Sequence, residues 1–258
     1  LAMLSAAGIR TESGLLETEA RELNRGFLSR IERGRPFVRL KCAASLDGKT
    51  ALSDGLSQWI TGEAARHDVQ ILRAESCAVL TGIGTVLADD PQLNVRAFPT
   101  LRQPLRIILD SRLRLPPTAK LLADPASPVL LLTAVPPEKY PAALAALAAV
   151  PHLDILTVPA ADGRISLPAA LTLLAERGIG ELLVEAGATL CGAFLQSGLA
   201  DEIVLYQAGK ILGGNARSLF DLPENPAVLQ QPASWQTRSV AILDGGDLKQ
   251  VLRKKEAV

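Results

Sequence analysis

The feature that most constrains the fold is an alternation of short apolar runs with helix-like segments through the middle of the chain. Runs of this kind are typical of strands buried on both faces, with helices connecting parallel neighbours. The apolar runs are LRIILD (105–110), PVLLLTA (128–134), LDILTV (153–158) and ELLVE (181–185). The helices between them are predicted from Pro136 to Val150 and from a Ser166 cap to Arg177, with Gly178 as the stop. The sequence therefore predicts an α/β fold with a mainly parallel sheet covered on both faces.

Further predicted elements precede and follow these runs in the chain. FVRLKCAASL (37–46), closed by the turn pair Asp47-Gly48, and CAVLTG (77–82) are predicted strands. Thr61 is predicted to cap a helix that runs to about Glu75 and buries Ala65, Val69, Ile71 and Leu72. The remaining predictions are a helix from about Thr189 to Gln196, a strand at 201–209 and a hairpin over 236–252 that turns at Gly245-Gly246. The hairpin places antiparallel strands at the C-terminal edge of the sheet.

The segment before residue 36 differs from this pattern. Residues 16–33 carry apolar side chains at helical spacing, and Gly34 and Pro36 end the predicted helix. The apolar positions are Leu16, Ala20, Leu23, Phe27, Leu28 and Ile31. The first nine residues lack the basic leader of a signal peptide. Because the chain begins at Leu1 and not at a methionine, we interpret it as a fragment or a processed product.

Composition excludes several classes of protein. The 27 basic and 27 acidic residues cancel, which argues against nucleic-acid binding by counterion release and against a polybasic membrane surface. No apolar run reaches the ~18 residues of a membrane span. Cys42, Cys77 and Cys191 are far apart and odd in number, so we predict buried free thiols in a reducing compartment. His67 and His152 have no second metal ligand at a suitable spacing, and we predict no metal site.

The first motif that can carry chemistry is GIGTVLADDPQLNVR (82–96), directly after a strand. It is not a dinucleotide fingerprint, because Leu87 stands where the third glycine belongs. Taken alone, it fits a structural strand-to-helix turn as well as a ligand loop. Thr85, Asp89, Asp90 and Arg96 favour the ligand loop, although the two aspartates also suit the end of a helix before Pro91.

The second motif is ELLVEAGATLCGAFL (181–195), in which a strand leads through glycine into a helix. Free amides at a helix N-terminus bind phosphate groups, and glycine lets them approach. The motif is not a Walker loop, because Gly192 is followed by Ala193. A tight structural junction is the alternative. Glu185 is the more informative residue, because a carboxylate at the carboxyl end of a strand points into the ligand crevice of an open sheet.

The third group comprises Trp59 in GLSQWIT (55–61) and two arginines, Arg73 and Arg96, in apolar surroundings. The tryptophan suits either a ligand loop or the edge of the core. The arginines suit a phosphate or carboxylate ligand, and each alternatively forms a surface salt bridge. These residues favour a nucleotide-cofactor enzyme without naming one.

Six segments closely resemble, in order, the reductase domain of the bacterial bifunctional riboflavin-biosynthesis deaminase/reductase. They are KCAASLDGKTAL (41–52), SQWIT (57–61), LRAESCAVLTGIGTVLADDPQLNVR (72–96), LRIILDS (105–111), VEAGATLCGAFL (184–195) and GKILGG (209–214). Residues 8–37 resemble the last part of the deaminase domain that precedes the reductase in that family. The resemblance divides the chain into a C-terminal remnant of a cytidine-deaminase-like domain (1–35) and an NADPH-dependent reductase domain (36–258).

The resemblance implies a dihydrofolate-reductase-like, three-layer fold, a cytoplasmic homodimer and a phosphorylated pyrimidine substrate. NADPH would deliver hydride to C1′ of 5-amino-6-(5-phosphoribosylamino)uracil and give the ribityl product. The deaminase's H-x-E and P-C-x-x-C zinc ligands are missing, so deaminase activity is not expected in this chain. Ala186 replaces a glycine of many relatives.

One rival is a reductase that acts before deamination, which the deaminase-like leader disfavours. Another is a non-catalytic nucleotide-binding remnant, which the retained charged residues disfavour.

The resemblance also assigns site residues. The substrate contacts would be Ser57, Arg73, Leu93, Arg96 and Glu185, with the two arginines on the 5′-phosphate. The cofactor contacts would be Ala43, Trp59, Thr85, Asp89, Ser111, Gly187, Ala188, Thr189, Leu190, Cys191, Gly192 and Ala193. Opening of the ribose ring needs a proton, for which Asp89 and Lys41 are the candidate catalytic residues. Ser111 and Arg112 would meet the 2′-phosphate of NADPH, whereas Asp110 is the alternative that would bond a 2′-hydroxyl.

Overall fold

The computed structural model describes residues 1–230 and 233–255, and a nine-stranded sheet forms its centre. The strands lie in the order β12-β13-β10-β1-β9-β3-β4-β5-β6. They are β1 (Phe37–Ala44), β3 (Ala78–Gly82), β4 (Leu105–Leu109), β5 (Val129–Thr133), β6 (Leu153–Thr157), β9 (Glu181–Glu185), β10 (Glu202–Gln207), β12 (Trp235–Ile242) and β13 (Leu248–Lys254). Two small ribbons pair β2 (Lys49–Ala51) with β11 (Arg217–Ser218), and β7 (Ala160–Ala161) with β8 (Arg164–Ile165).

The structure has eight α-helices within the described residues, and those after β1 cover both faces of the sheet. They are α1 (Ala2–Ala6) and α2 (Glu17–Leu23), which bury no residue, α3 (Arg25–Arg33), α4 (Glu63–Glu75), α5 (Ile83–Asp89), α6 (Pro141–Leu147), α7 (Leu167–Glu176) and α8 (Ala188–Gln196). Helices α7 and α8 bury Leu174 and Phe194 on one face, in a cluster with Leu40, Leu80 and Val184. Helices α4, α5 and α6 pack on the opposite face. No helix within the described ranges is long and apolar enough to cross a membrane.

The central strands run parallel and the C-terminal hairpin runs antiparallel, as the sequence predicts. Strand β1 pairs in parallel with both β9 and β10, whereas β13 pairs antiparallel with β10 and β12. Side chains alternate between the two faces along each strand, so both faces of the parallel strands are apolar. The predicted three-layer, dihydrofolate-reductase-like architecture with antiparallel C-terminal strands is confirmed.

The prediction of one helix over residues 16–33 is wrong, although Gly34 does end the helical segment. The segment forms two helices, α2 and α3, because the chain leaves helical geometry at Asn24. Leu23, Phe27 and Ile31 of its apolar face are exposed, and Leu28 is half-buried. Helix α3 instead packs through Gly26, where a Cβ would lie 3.0 Å from the carbonyl carbon of Gly180. Hydrophobic spacing identified an apolar face but not the face that the protein buries.

Two other helices also begin or pack differently from their predictions. Gly62, not Thr61, is the N-cap of α4, and Ile71 is 40% exposed although Ala65, Val69 and Leu72 are buried. The helix predicted from Pro136 to Val150 is a 3₁₀ turn over Pro137–Lys139 followed by α6. The prolines start helical segments but also divide them, because proline cannot donate a backbone hydrogen bond. The Ser166 cap is confirmed, since its side chain accepts from the Ala169 amide at 3.4 Å.

Candidate active site

The site forms where the carboxyl ends of β1, β9 and β3 meet at one edge of the sheet. These strands are parallel neighbours, so their ends and the turns that follow them lie side by side. Lys41 on β1 stands opposite Glu185 on β9 in the strand register. Both lie on the face of the sheet covered by α4, which also carries Arg73. Topology thus brings together three charged residues that are far apart in the chain.

Arg73 and Glu185 form a buried, bidentate ion pair. Arg73 Nε and Nη2 donate to the two carboxylate oxygens of Glu185 at 2.5 Å and 2.9 Å. Their side chains are 9% and 10% exposed. Burial raises the pKa of Glu185, but attraction from Arg73, Lys41 and Arg96 outweighs burial and holds this pKa below its usual value. Glu185 is therefore an anion at neutral pH.

The third donor group of Arg73 also has a protein partner. Its Nη1 donates to the backbone carbonyl of Asn94 at 3.0 Å, in the loop that follows α5. Arg73 is thus held on two sides and is not a surface salt-bridge partner. Its predicted contact with the phosphate stays a prediction, and in this arrangement most of its donors are already engaged.

Arg96 differs from Arg73 because its guanidinium forms no hydrogen bond or ion pair with any described residue. Its side chain is exposed, and its backbone amide donates to Gln70 Oε1 at 3.0 Å. Desolvation and then repulsion from Arg73 lower the pKa of Arg96, whereas Glu185 raises it. Leu93, the neighbouring predicted substrate contact, is only 2% exposed and packs beside α4. The open, positive group of this loop is therefore Arg96.

Two glycine-containing turns adjoin this cluster. A Cβ on Gly82, before α5, would lie 3.3 Å from Leu190 Cδ2 of α8, so the side chain of Leu190 packs close to the Gly82 turn. Gly187 is the N-cap of α8, has no side-chain cap, and would leave a Cβ free of contacts within 4 Å. The Thr189 hydroxyl donates to the Asp221 carboxylate at 3.2 Å. The amides at the start of α8 form an open N-terminus that suits a phosphate group.

The later residues of the second motif have a structural explanation. Cys191 and Gly192 are buried, and a Cβ on Gly192 would overlap the backbone carbonyl of Asp221. The Cys191 thiol donates to the carbonyl of Ala186 at 3.3 Å. The predicted cofactor stretch thus divides into an accessible beginning, Gly187 to Thr189, and a packed continuation. Cys42 and Cys191 are buried and free as predicted, whereas Cys77 is only half-buried.

Trp59 lies on the surface, so the core-edge interpretation is wrong. It is 60% exposed, with the Arg66 guanidinium 4.6 Å from its ring centre. Lys210 Nζ donates to the Trp59 carbonyl at 2.6 Å, which fixes the loop. Ser57, on the same loop, is half-buried. Ala43, on β1, is also half-buried. An exposed, braced indole is suited to stack on a flat ligand.

Asp89 and Asp110 have different environments. Asp89, at the end of α5, is exposed and has no hydrogen-bond partner among the described residues, and partial desolvation raises its pKa. Asp110 is fully buried and accepts the Leu115 amide at 2.8 Å, so it closes a turn and is not free for a 2′-hydroxyl. Ser111 Oγ accepts from the Ile165 amide at 3.2 Å. Thr85 is half-buried in α5.

Sequence reasoning missed the residues that brace the site. Gln70, Gln103, Arg66 and Lys210 all contact backbone or rings of predicted site residues or their immediate neighbours. Their polar side chains on helices and loops are indistinguishable in sequence from solvated ones. The available signal was a polar residue close to a quoted motif, such as Gln103, two residues before the run that begins at Leu105.

The fold and the charged crevice define an α/β protein in which the uncapped N-terminus of α8 lies at the same sheet edge as the Arg73–Glu185 ion pair. A family model described as the RibD C-terminal domain matches residues 36–243. The chain belongs to this family of RibD C-terminal domains, as the resemblance predicted.

Individual relatives agree with this assignment. The chain is 42% identical to the riboflavin biosynthesis protein RibD of Escherichia coli over 232 residues, which are 85% of this chain and 61% of that protein. It superposes on a crystal form of Acinetobacter baumannii RibD with a TM-score of 0.82 at 41% identity, covering 98% of this chain and 68% of that one. A Thermotoga maritima protein titled diaminohydroxyphosphoribosylaminopyrimidine deaminase/5-amino-6-(5-phosphoribosylamino)uracil reductase gives a TM-score of 0.79 at 29% identity, covering 98% and 66%. The chain thus spans about three fifths of the length of the E. coli relative.

Proposed function

We propose that this chain is an NADPH-dependent reductase of 5-amino-6-(5-phosphoribosylamino)uracil in riboflavin biosynthesis. The observation that carries the proposal is the clustering of the Arg73–Glu185 pair, Lys41 and the exposed Arg96 at the sheet edge where the glycine turns after β3 and β9 begin α5 and α8. Family membership and the printed name of the T. maritima relative support the substrate. The deaminase reaction is not proposed, because the zinc ligands of that domain are missing from this sequence.

The cofactor site fits a dinucleotide at one observed feature, the open N-terminus of α8. Gly187 leaves space beside amides that no side chain caps, so Gly187, Ala188 and Thr189 would hold the pyrophosphate. The exposed ring of Trp59 offers a flat surface for stacking. When bound, NADPH supplies the hydride for C1′. Ser111 and Arg112, at the end of β4, are our candidates for selecting the 2′-phosphate.

The proposed substrate residues have two roles: Arg96 would bind the phosphate, and Glu185 would accept hydrogen bonds from the rest of the substrate. Arg96 has a free guanidinium and would bind the 5′-phosphate through charge-assisted hydrogen bonds. Glu185 is an anion held by Arg73, so its remaining lone pairs can accept from ribose hydroxyl or pyrimidine N–H groups. This division gives Arg73 a positioning role, because it orients Glu185 and the Asn94 backbone.

Asp89 is the better of the two candidate proton donors. Ring opening places a proton on the ribose ring oxygen, so the donor must be an accessible acidic group that is not engaged elsewhere. Asp89 is exposed with no hydrogen-bond partner among the described residues, and partial desolvation raises its pKa above the usual value, whereas Lys41 faces the anionic Glu185 across the strand pair. We assign Asp89 to proton delivery and Lys41 to holding Glu185 and a ribose hydroxyl. The homodimer and the cytoplasmic location remain part of this proposal.

The experiment is a spectrophotometric assay of NADPH oxidation with three pyrimidines. The substrates are the phosphoribosylaminouracil, its dephosphorylated form, and the corresponding pyrimidine before deamination. We expect rapid oxidation with the first, a strongly raised KM with the second, and little turnover with the third. Faster turnover of the third would support the rival reductase. Tight NADPH binding without oxidation of any of them would support a non-catalytic remnant.

A further inference from the structure

The loop that presents Arg96 is held by an unusual number of side-chain contacts to its backbone. It leaves α5 at Asp90, and both Asp90 and Leu93 have left-handed φ values, 43° and 56°. Residues with a Cβ rarely adopt this conformation without support from their surroundings. The loop must therefore be stabilised by other parts of the protein.

Gln103 provides the most specific of these supports. Its Oε1 accepts from the Val95 amide and its Nε2 donates to the Val95 carbonyl, both at 2.8 Å. One side-chain amide thus satisfies both polar groups of one residue, as a neighbouring strand would. Val95 is itself buried, so these groups would otherwise be left without partners. Gln103 precedes β4, which is rigidly fixed in the parallel sheet.

Arg73 and Gln70 on α4 hold the residues on either side. Arg73 bonds the Asn94 carbonyl, and Gln70, which is buried, accepts from the Arg96 amide. The backbone of Asn94, Val95 and Arg96 is thereby held by side chains of α4 and of the segment that precedes β4. The Arg96 guanidinium leaves this fixed backbone without a protein partner. Such an arrangement lowers the entropy cost of binding an anion, because the backbone is already ordered.

We infer that Gln103 is a positioning residue that fixes the Val95 backbone and so aims Arg96 at the substrate phosphate. This inference rests on the proposed function, in which Arg96 binds that phosphate. Gln103 itself touches Val95, so its effect on binding passes through the loop. Its loss should therefore weaken recognition of phosphorylated ligands and leave the hydride-transfer step nearly unchanged.

The test compares Gln103→Leu, which removes both bonds, with Gln103→Glu, which keeps the acceptor and removes the donor. Leu101→Ala is the control, because that side chain is 108% exposed in the same loop. We expect Gln103→Leu to raise KM for the phosphorylated pyrimidine about tenfold, with kcat within about twofold, and Gln103→Glu to fall between it and wild type. KM for the dephosphorylated pyrimidine should not change. In an Arg96→Ala background the Gln103 substitution should have no additional effect on KM. Equal losses with both pyrimidines, or additive losses with Arg96→Ala, would overturn the inference.

Two measurements without turnover separate this inference from the proposed function. Hydrogen exchange at the Val95 amide should accelerate in Gln103→Leu and stay slow in Leu101→Ala. Calorimetry should give weaker binding of ribose 5-phosphate to the Gln103→Leu protein, with wild-type affinity in the control. If wild type oxidises no NADPH but both of these results hold, the proposed reaction fails and the positioning role stands. If Val95 exchange is unchanged in a folded Gln103→Leu protein, the positioning role fails.

Discussion

Replacing Glu185 by glutamine removes the charge that compensates Arg73 inside the protein. The variant keeps the shape of the side chain and one carbonyl oxygen, so one of the two hydrogen bonds to Arg73 can persist. Arg73 then remains a cation at 9% side-chain exposure, repelled by Arg96 and facing Lys41. Removing one partner of a buried ion pair costs about 3–5 kcal/mol, and the retained bond places this variant near about 3 kcal/mol.

Chemical and thermal unfolding of the cofactor-free protein measure this change. For a chain of this size about 3 kcal/mol corresponds to a fall in Tm of about 6–12 °C. Glu176→Gln is the matched control, because Glu176 is exposed on α7 and should change stability by less than about 0.5 kcal/mol.

The pH dependence gives the same prediction a second test. The folded-state pKa of Glu185 is lowered, so the ion pair contributes fully above the unfolded value of about 4.3 and less as pH falls through the folded pKa. The stability difference between wild type and Glu185→Gln should therefore shrink in acid below about pH 4. A variant as stable as the Glu176→Gln control at pH 7 would refute the argument, because it would mean that Arg73 needs no compensating charge.

Three further predictions concern single residues of the crevice. Arg96→Ala should raise KM for the phosphorylated substrate by about 10–100-fold with an unchanged Tm, because its guanidinium has no partner among the described residues; an unchanged KM would exclude it as the anchor. Asp89→Asn should lower kcat by about 100-fold or more, because the amide cannot donate the proton. In wild type kcat should fall with rising pH as the Asp89 carboxyl, whose pKa is raised, loses its proton, and the variant should lose this dependence; a variant with the full rate would exclude Asp89 as the acid. Gly192→Ala should destabilise the fold by about 1–3 kcal/mol, since its Cβ would meet the Asp221 carbonyl, whereas Gly187→Ala should leave unfolding nearly unchanged; equal stabilities would contradict the packing at Gly192.

The sheet could be predicted from sequence because its strands are buried on both faces and must be apolar throughout. ELLVE therefore became β9 with the predicted bounds, and LRIILD became β4 one residue shorter than predicted. The helical spacing of residues 16–33 was equally clear, but it showed neither the break at Asn24 nor whether anything covers the apolar face, because a period shows only which side chains share a face. Trp59 also shows that residue type does not fix burial, since this large aromatic residue suited the edge of the core but lies on the surface.

The two arginines show why the chemistry of the site needed the structure. In sequence Arg73 and Arg96 look equivalent, each a cation among apolar residues. Helix α4 turns Arg73 toward the sheet, where Glu185 and the Asn94 carbonyl bind it, whereas the loop held by Gln70 and Gln103 exposes Arg96. Arg73 is thus held inside the protein, and Arg96 is the guanidinium that we propose binds the anion.

The charge of the resulting cluster fits this division. Three cations, Lys41, Arg73 and Arg96, face one carboxylate, Glu185, so two positive charges are left uncompensated by that carboxylate. A phosphate monoester carries between about one and a half and two negative charges at neutral pH, which would neutralise the cluster. Substrate binding would then relieve the repulsion between Arg73 and Arg96 that lowers the pKa of Arg96. Because Arg96 is exposed, this contribution should weaken as ionic strength rises, while the buried Arg73–Glu185 pair should be far less sensitive to salt.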